Sequence, residues 1–372
     1  MLMRKHTKPG LLVLLVLMFS VIAAACGETK IETLEVIKEI TKEVPVEKIV
    51  EVVKEVPVEK IVEVVKEVEK IVEVAPTKDK REIVFGGLNW DSALIQNGVA
   101  RYVVEHGYGY PTSQMEGSTL PLFQGLRKGS VDLTMEIWLP NQDAAWNEAV
   151  KAGEVLPVGK SLEDNWQSSF LIPKYMQDAN PELDSIEDLK EDKFKSLFDQ
   201  EGGKVILLGG VSGWGARTMQ DGDETGPGQI VGMGLEDHVY NRVINDSGVL
   251  AAAIEAAFAK EDPILFYYWG PTALAHKLAG QYVDLEQPDP SECKDNSPIH
   301  GCAFPAAEVM IAMNTELVND APELISFFQK WDWSAGNQLA AEGWYGENKE
   351  GLTNDGKSSE EIYSATGVWY LQ

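Results

Sequence analysis

With 372 residues and a formal net charge of −27, the chain is long enough for two domains with cores of their own and too acidic for a nucleic-acid or anionic-membrane binder. The imbalance is uneven: residues 1–81 carry 14 acidic and 14 basic side chains, whereas residues 82–372 carry 45 and 18. That second part favours cationic or zwitterionic ligands, although an acidic solubilising surface accounts for the same numbers.

Residues 1–25 have the layout of an export signal. Arg4, Lys5 and Lys8 form a basic start, and the run from Leu11 to Ala25 is apolar but short for a membrane span. Small residues lead directly into Cys26, as in a bacterial lipobox, where the thiol is lipidated and the leader is cut off ahead of it. Ala23 departs from the Leu usual in such boxes. Plain secretion with a free Cys26 and a retained anchor helix are the other readings. Lipidation places the protein on the outer face of the cytoplasmic membrane, held there by its lipid alone.

Residues 26–81 form a spacer of low complexity. The run EVPVEKIVEVVK at Glu43–Lys54 returns unchanged at Glu55–Lys66, and EKIVEV returns at Glu69–Val74. Ile31, Leu34, Ile37 and Ile40 permit a short amphipathic helix or a coiled coil. Pro45 and Pro57 oppose one continuous helix, since each removes a backbone donor and clashes with the preceding turn. An extended spacer of this length reaches up to roughly 150 Å at about 3.1 Å per residue. An oligomerising stalk is the rival reading.

From Glu82 the chain alternates strand and helix signals, which predicts an α/β fold with parallel-rich sheets. EIVFGG is a strand, and a helix follows from Asp91 and Ser92, carrying Leu94, Ile95, Val99, Tyr102 and Val103 until Gly107. LPLFQGLRKG is a helix and VDLTMEIW a strand running into Pro140. KVILLGG, DPILFYYW and EVMIAMN are further strands; VLAAAIEAAFA, TALAHKLAG and APELISFFQKW are helices. Cys293 and Cys302 stand nine apart in a polar loop, which in an exported protein predicts a disulfide; a metal site with His300 is the competing reading.

Trp90, Trp138, Trp214 and Trp269 each fall just after or at the end of a predicted strand. In open α/β sheets ligands lie beyond the carboxyl ends of the strands, so these four positions face a cleft. An indole face carries negative quadrupole charge and attracts a cation with about 0.5–1 kcal/mol when exposed and ~2 kcal/mol when dry. A quaternary ammonium has no N–H to donate, so an aromatic box suits it better than a carboxylate does. Core packing is the alternative for any one of these rings, and it is the reading for Trp146, Trp331, Trp333 and Trp369; Trp166 and Trp344 are open.

The runs NWDSA, RKGSVDLTMEIWLPN, FLIPKYM, SIEDLK, SGWGA and FYYWGP, in that order, resemble the substrate-binding proteins of ABC importers for glycine betaine and proline betaine. The resemblance covers Ile83 to about Trp333. It implies a type II periplasmic-binding-protein fold, two α/β lobes on a hinge that closes over the ligand, with residues 82–174 and 305–372 in lobe one and 175–304 in lobe two. It implies a small quaternary ammonium ligand, a permease and its ATPase as partners, no cofactor and no catalysis. Trp90, Trp138, Trp214 and Trp269 match the positions of that family's aromatic box, of which subfamilies use three. The ligand carboxylate meets backbone N–H groups, here near Gly215 and Ala216. Some members place a His shortly after WLP; this chain has NQDAA, which makes Asn141 or Gln142 the substitute.

Two other functions follow from other features. GGVSGWG is superficially like a nucleophile elbow, but that motif needs Gly where Trp214 stands, and no paired metal-type histidines or phosphate loop accompany it. The long spacer also suits a tethered sensory receptor for the same ligands. Choline or carnitine is the alternative ligand.

Overall fold

The structure, a computed structural model, describes residues 80–293 and 301–372; the export signal, Cys26 and the repetitive spacer lie outside the described residues. The chain first lays down β1 (Ile83–Leu88), α1 (Asp91–His106), β2 (Thr112–Gly117), α2 (Thr119–Arg127), β3 (Leu133–Leu139), α3 (Asp143–Ala152) and β4 (Val155–Leu162). Then come β5 (Trp166–Pro173), α4 (Lys174–Ala179), α5 (Asp192–Lys195), β6 (Gln200–Glu201), β7 (Lys204–Leu208) and α6 (Gly215–Asp221). A minimal hairpin, β8 (Gly222–Asp223) and β9 (Gly226–Pro227), leads to α7 (Gln229–Gly232), β10 (Val239–Asn241) and α8 (Ser247–Lys260). β11 (Leu265–Gly270), α9 (Ala273–Lys277), β12 (Tyr282–Asp284) and β13 (Glu308–Asn314) precede the helices α10 (Leu317–Asp320), α11 (Pro322–Phe328), α12 (Ala335–Asn354) and α13 (Ser359–Tyr370).

Two sheets share one plan. The first has the order β2-β1-β3-β13-β4, with β2, β1 and β3 parallel and β13 antiparallel to both of its neighbours. The second has the order β10-β7-β11-β5-β12, with β10, β7 and β11 parallel and β5 antiparallel to both of its neighbours. β5 is the first strand the chain lays into the second sheet, and β13 is the strand by which it re-enters the first. The two sheets are thus joined by two passages, at residues 163–165 and between β12 and β13.

The first passage corrects the expected lobe boundary. A division at residue 174 would leave β5 with the first sheet, whereas β5 pairs with β11 and β12 in the second. The run QSSFLIP is buried along its whole length, and a strand buried on both faces does not reveal its partners by its texture.

Each sheet has a core on one side, built around Phe85, Leu133 and Met313 in the first and around Phe170, Val205 and Leu265 in the second. A third and larger cluster lies where the strand ends of both sheets meet, and it contains Trp90, Trp138, Trp214 and Trp269. The C-terminal helices brace this junction. α13 crosses α1 at Gly98 and Gly367, where a Cβ on Gly367 would sit 2.6 Å from the carbonyl carbon of Gly98. Only glycine allows backbones this close. From α12, Glu342 reaches the other lobe and accepts the backbone N–H of Ala273 at the start of α9.

Candidate functional site

Four strand ends deliver the four tryptophans. Trp90 follows β1 as the residue before α1, and Trp138 is the penultimate residue of β3. Trp269 is the penultimate residue of β11, before Gly270, and Trp214 lies between β7 and α6. Gly213, with φ of +84°, turns the chain into Trp214, a backbone conformation that L side chains rarely adopt. Trp90 and Trp138 thus come from the first lobe, Trp214 and Trp269 from the second.

All four are buried, between 4% and 7% exposed, and all four border one cavity of about 30 Å³. Trp214 packs between two of the other rings, edge-on to Trp90 with ring centroids 5.0 Å apart and edge-on to Trp269 at 5.1 Å. Thr119, Asn141, Gln142, Gly215, Ala216 and Tyr267 complete the lining, and no lining residue carries a formal charge. As the first two residues of α6, Gly215 and Ala216 have no carbonyl one turn back within the helix to accept their N–H groups.

The lobes are tied across the cavity. Trp214 donates its indole N–H to Asn89 Oδ1 at 2.8 Å, and Ser247 Oγ donates to the Asn89 carbonyl at 3.1 Å. Asn141 and Gln167 exchange reciprocal amide hydrogen bonds of 3.0 and 2.9 Å. That pairing occupies the Asn141 oxygen and one of its two amide hydrogens, leaving a single N–H for a ligand. Gln142 is buried and its Oε1 has no hydrogen-bond partner in the structure.

Two features were missed in the sequence. Tyr267 lines the cavity, stacked on Trp269 at 6.1 Å. Glu136 stands behind the cavity wall and accepts the indole N–H of Trp138 at 2.9 Å and of Trp90 at 3.1 Å, both through Oε2. Burial pushes its carboxyl up to about 7, against the two indole hydrogen bonds that hold it down. The signal for Glu136 was available: strand side chains alternate, so an acid two residues before Trp138 shares its face. Elsewhere in the chain, Cys293 and Cys302 are disulfide-bonded with Cα atoms 6.1 Å apart. Trp146 and Trp333 are core residues, and Trp166 lies tilted against Tyr282 outside the cavity.

Residues 81–352 match OpuAC, the substrate-binding domain of ABC-type glycine betaine transport systems. The chain belongs to this family. Among solved structures it is similar to the glycine betaine/L-proline-binding protein ProX from Borrelia burgdorferi, with a TM-score of 0.57 at 20% identity, covering 78% of this chain and 92% of that one. An ABC-transporter choline-binding protein in complex with choline gives a TM-score of 0.56 at 16% identity, over 77% and 87% of the two chains. Lactococcal OpuAC in its closed form with glycine betaine gives 0.52 at 19%, over 77% and 95%. The fold of this OpuAC-family protein is therefore the two-lobe type II periplasmic-binding-protein fold. Among the described residues no helix is long and apolar enough to cross a membrane.

Proposed function

We propose that the protein captures a small quaternary ammonium solute between its lobes and hands it to a membrane permease driven by an ATPase. The observation that carries this reading is the convergence of four indoles, two from each lobe, on one cavity whose lining carries no formal charge. Each dry indole face contributes about 2 kcal/mol to a cation over it, so three faces approach the ~8 kcal/mol of micromolar binding before any contact to the rest of the ligand. A second polar group on the ligand has the N–H groups of Gly215 and Ala216, the free Asn141 N–H and the Gln142 amide within the same lining. Because the rings come from both lobes, the cage is complete only when the lobes are closed, which couples capture to closure. Cys26, lipidated, would hold the protein at the outer face of the membrane, and residues 26–81 would give it reach.

Titration calorimetry with glycine betaine, proline betaine, choline and carnitine tests the reading. At least one binds near micromolar, and Trp90→Ala and Trp214→Ala each weaken it more than tenfold with an unchanged far-ultraviolet circular dichroism spectrum. Wild-type protein that binds none of the four, or folded variants that bind as tightly as wild type, would overturn it.

A further inference from the structure

The cavity lining is uncharged, but a carboxylate stands behind it. An indole has one N–H, and both Trp90 and Trp138 give theirs to the same oxygen of Glu136, at 3.1 and 2.9 Å. The rings belong to different elements, so this shared acceptor sets the tilt of one relative to the other. Its second oxygen is met by Gln96 Nε2 at 3.4 Å. Among the described residues no lysine or arginine pairs with Glu136, and a buried carboxylate without a cation is costly.

We propose that Glu136 is the counter-charge of the cage: a positioning residue behind the wall that sets the Trp90 and Trp138 indoles and makes the cavity select ligands of net positive charge. The inference rests on the quaternary-ammonium reading above. A permanent cation in the cavity is the partner that the carboxylate lacks, and in a dry site the attraction is only weakly screened. An indole that donates its N–H to an anion is polarised toward a more negative face, which adds to the same effect. A zwitterion brings its own carboxylate into a lining with no basic side chain, so it gains less. The amide of Gln142 can turn either end to a ligand and does not discriminate between hydroxyl and carboxylate.

Calorimetry on the full chain with choline, glycine betaine and 3,3-dimethylbutan-1-ol, the uncharged isostere of choline, decides the matter. Wild type binds choline at least tenfold tighter than glycine betaine. Glu136→Gln weakens choline tenfold or more and changes the isostere less than twofold, because the glutamine oxygen still accepts the indole hydrogens. A merely structural role would weaken choline and the isostere by one common factor, and that result overturns the proposal, as does tighter binding of glycine betaine by wild type. If Glu136→Gln does not fold, the choline-to-isostere affinity ratio of wild type must fall at least fivefold from pH 8 to pH 5. The acid coupled to Glu136 is Glu342 of α12, whose carboxyl is pushed up first by burial and further by the charges of Asp91 and Glu136. The fall must therefore persist in Glu342→Gln, and a flat ratio overturns the proposal. Wild type that binds none of glycine betaine, proline betaine, choline and carnitine sinks the quaternary-ammonium reading itself; binding that ignores Glu136 sinks only the counter-charge.

Discussion

Trp214 has one indole hydrogen, and it crosses the cleft to Asn89. This bond exists only with the lobes closed, so Asn89→Ala should act on closure and not on either lobe's core. The variant leaves a buried donor unpaired, at about 1–3 kcal/mol. Ligand affinity should fall about tenfold, mainly through faster release in stopped-flow measurements, while the empty protein melts as wild type does. A lowered melting temperature with unchanged release would show the bond to be ordinary packing. At this scale much of the site was legible, because a large aromatic at a strand end beside Gly or Pro has few reasons to be there except a cleft. Glu136 was not, because a single acid inside a strand does not announce its partners, although alternation puts Glu136 and Trp138 on one face. The engagement of Asn141 with Gln167 was also out of reach, since nothing local to either residue announces a partner in the other lobe.

Among the elements, the strands flanked by glycine or proline were legible, whereas the pairing of β5 was not. Its buried run suits either sheet, and only the three-dimensional register with β11 and β12 assigns it. The long C-terminal helices carry weaker signals still, with α12 mixing glycine, charge and aromatic residues along its length. Their role becomes visible where α13 meets α1. A glycine inside a helix normally gains about 1 kcal/mol on replacement by alanine. At Gly367 the added methyl would lie 2.6 Å from Gly98 backbone atoms, so the sign should reverse. Gly367→Ala is expected to lower unfolding free energy by about 1–3 kcal/mol, the usual cost of overpacking. Urea unfolding monitored by tryptophan fluorescence measures it. A stabilised variant would mean that the two helices separate easily and do not brace the lobe junction.

For the whole molecule, two buried carboxyls without a basic partner among the described residues, Glu136 and Glu342, are expected to make stability and ligand capture respond to pH in opposite directions. Burial pushes both Glu136 and Glu342 up to about 7 from an ordinary 4.5. Between those values the folded protein holds protons that the unfolded chain releases, so the stability present below about pH 4.5 is lost as pH rises through about 7. Carboxyls held low, such as Glu323 and Glu361, titrate beneath this window and do not oppose the trend. A bound cation favours the ionised form of Glu136, so capture strengthens over the range in which the empty protein weakens. Glu342 separates the two effects, since it accepts from Ala273 and Gln338 and is absent from the cavity lining. A rise of this size corresponds to about 3 kcal/mol at pH 8 for one group, at 1.36 kcal/mol per pKa unit. Glu342→Gln keeps an acceptor for Ala273 without the charge, so it should raise the melting temperature of the empty protein at pH 8 by about 5 °C and change it little at pH 5. Scanning calorimetry of both proteins at the two pH values measures this. Equal shifts at pH 5 and pH 8 would show that Glu342 is already protonated, or already charged, across the whole range and that its burial sets no pH response.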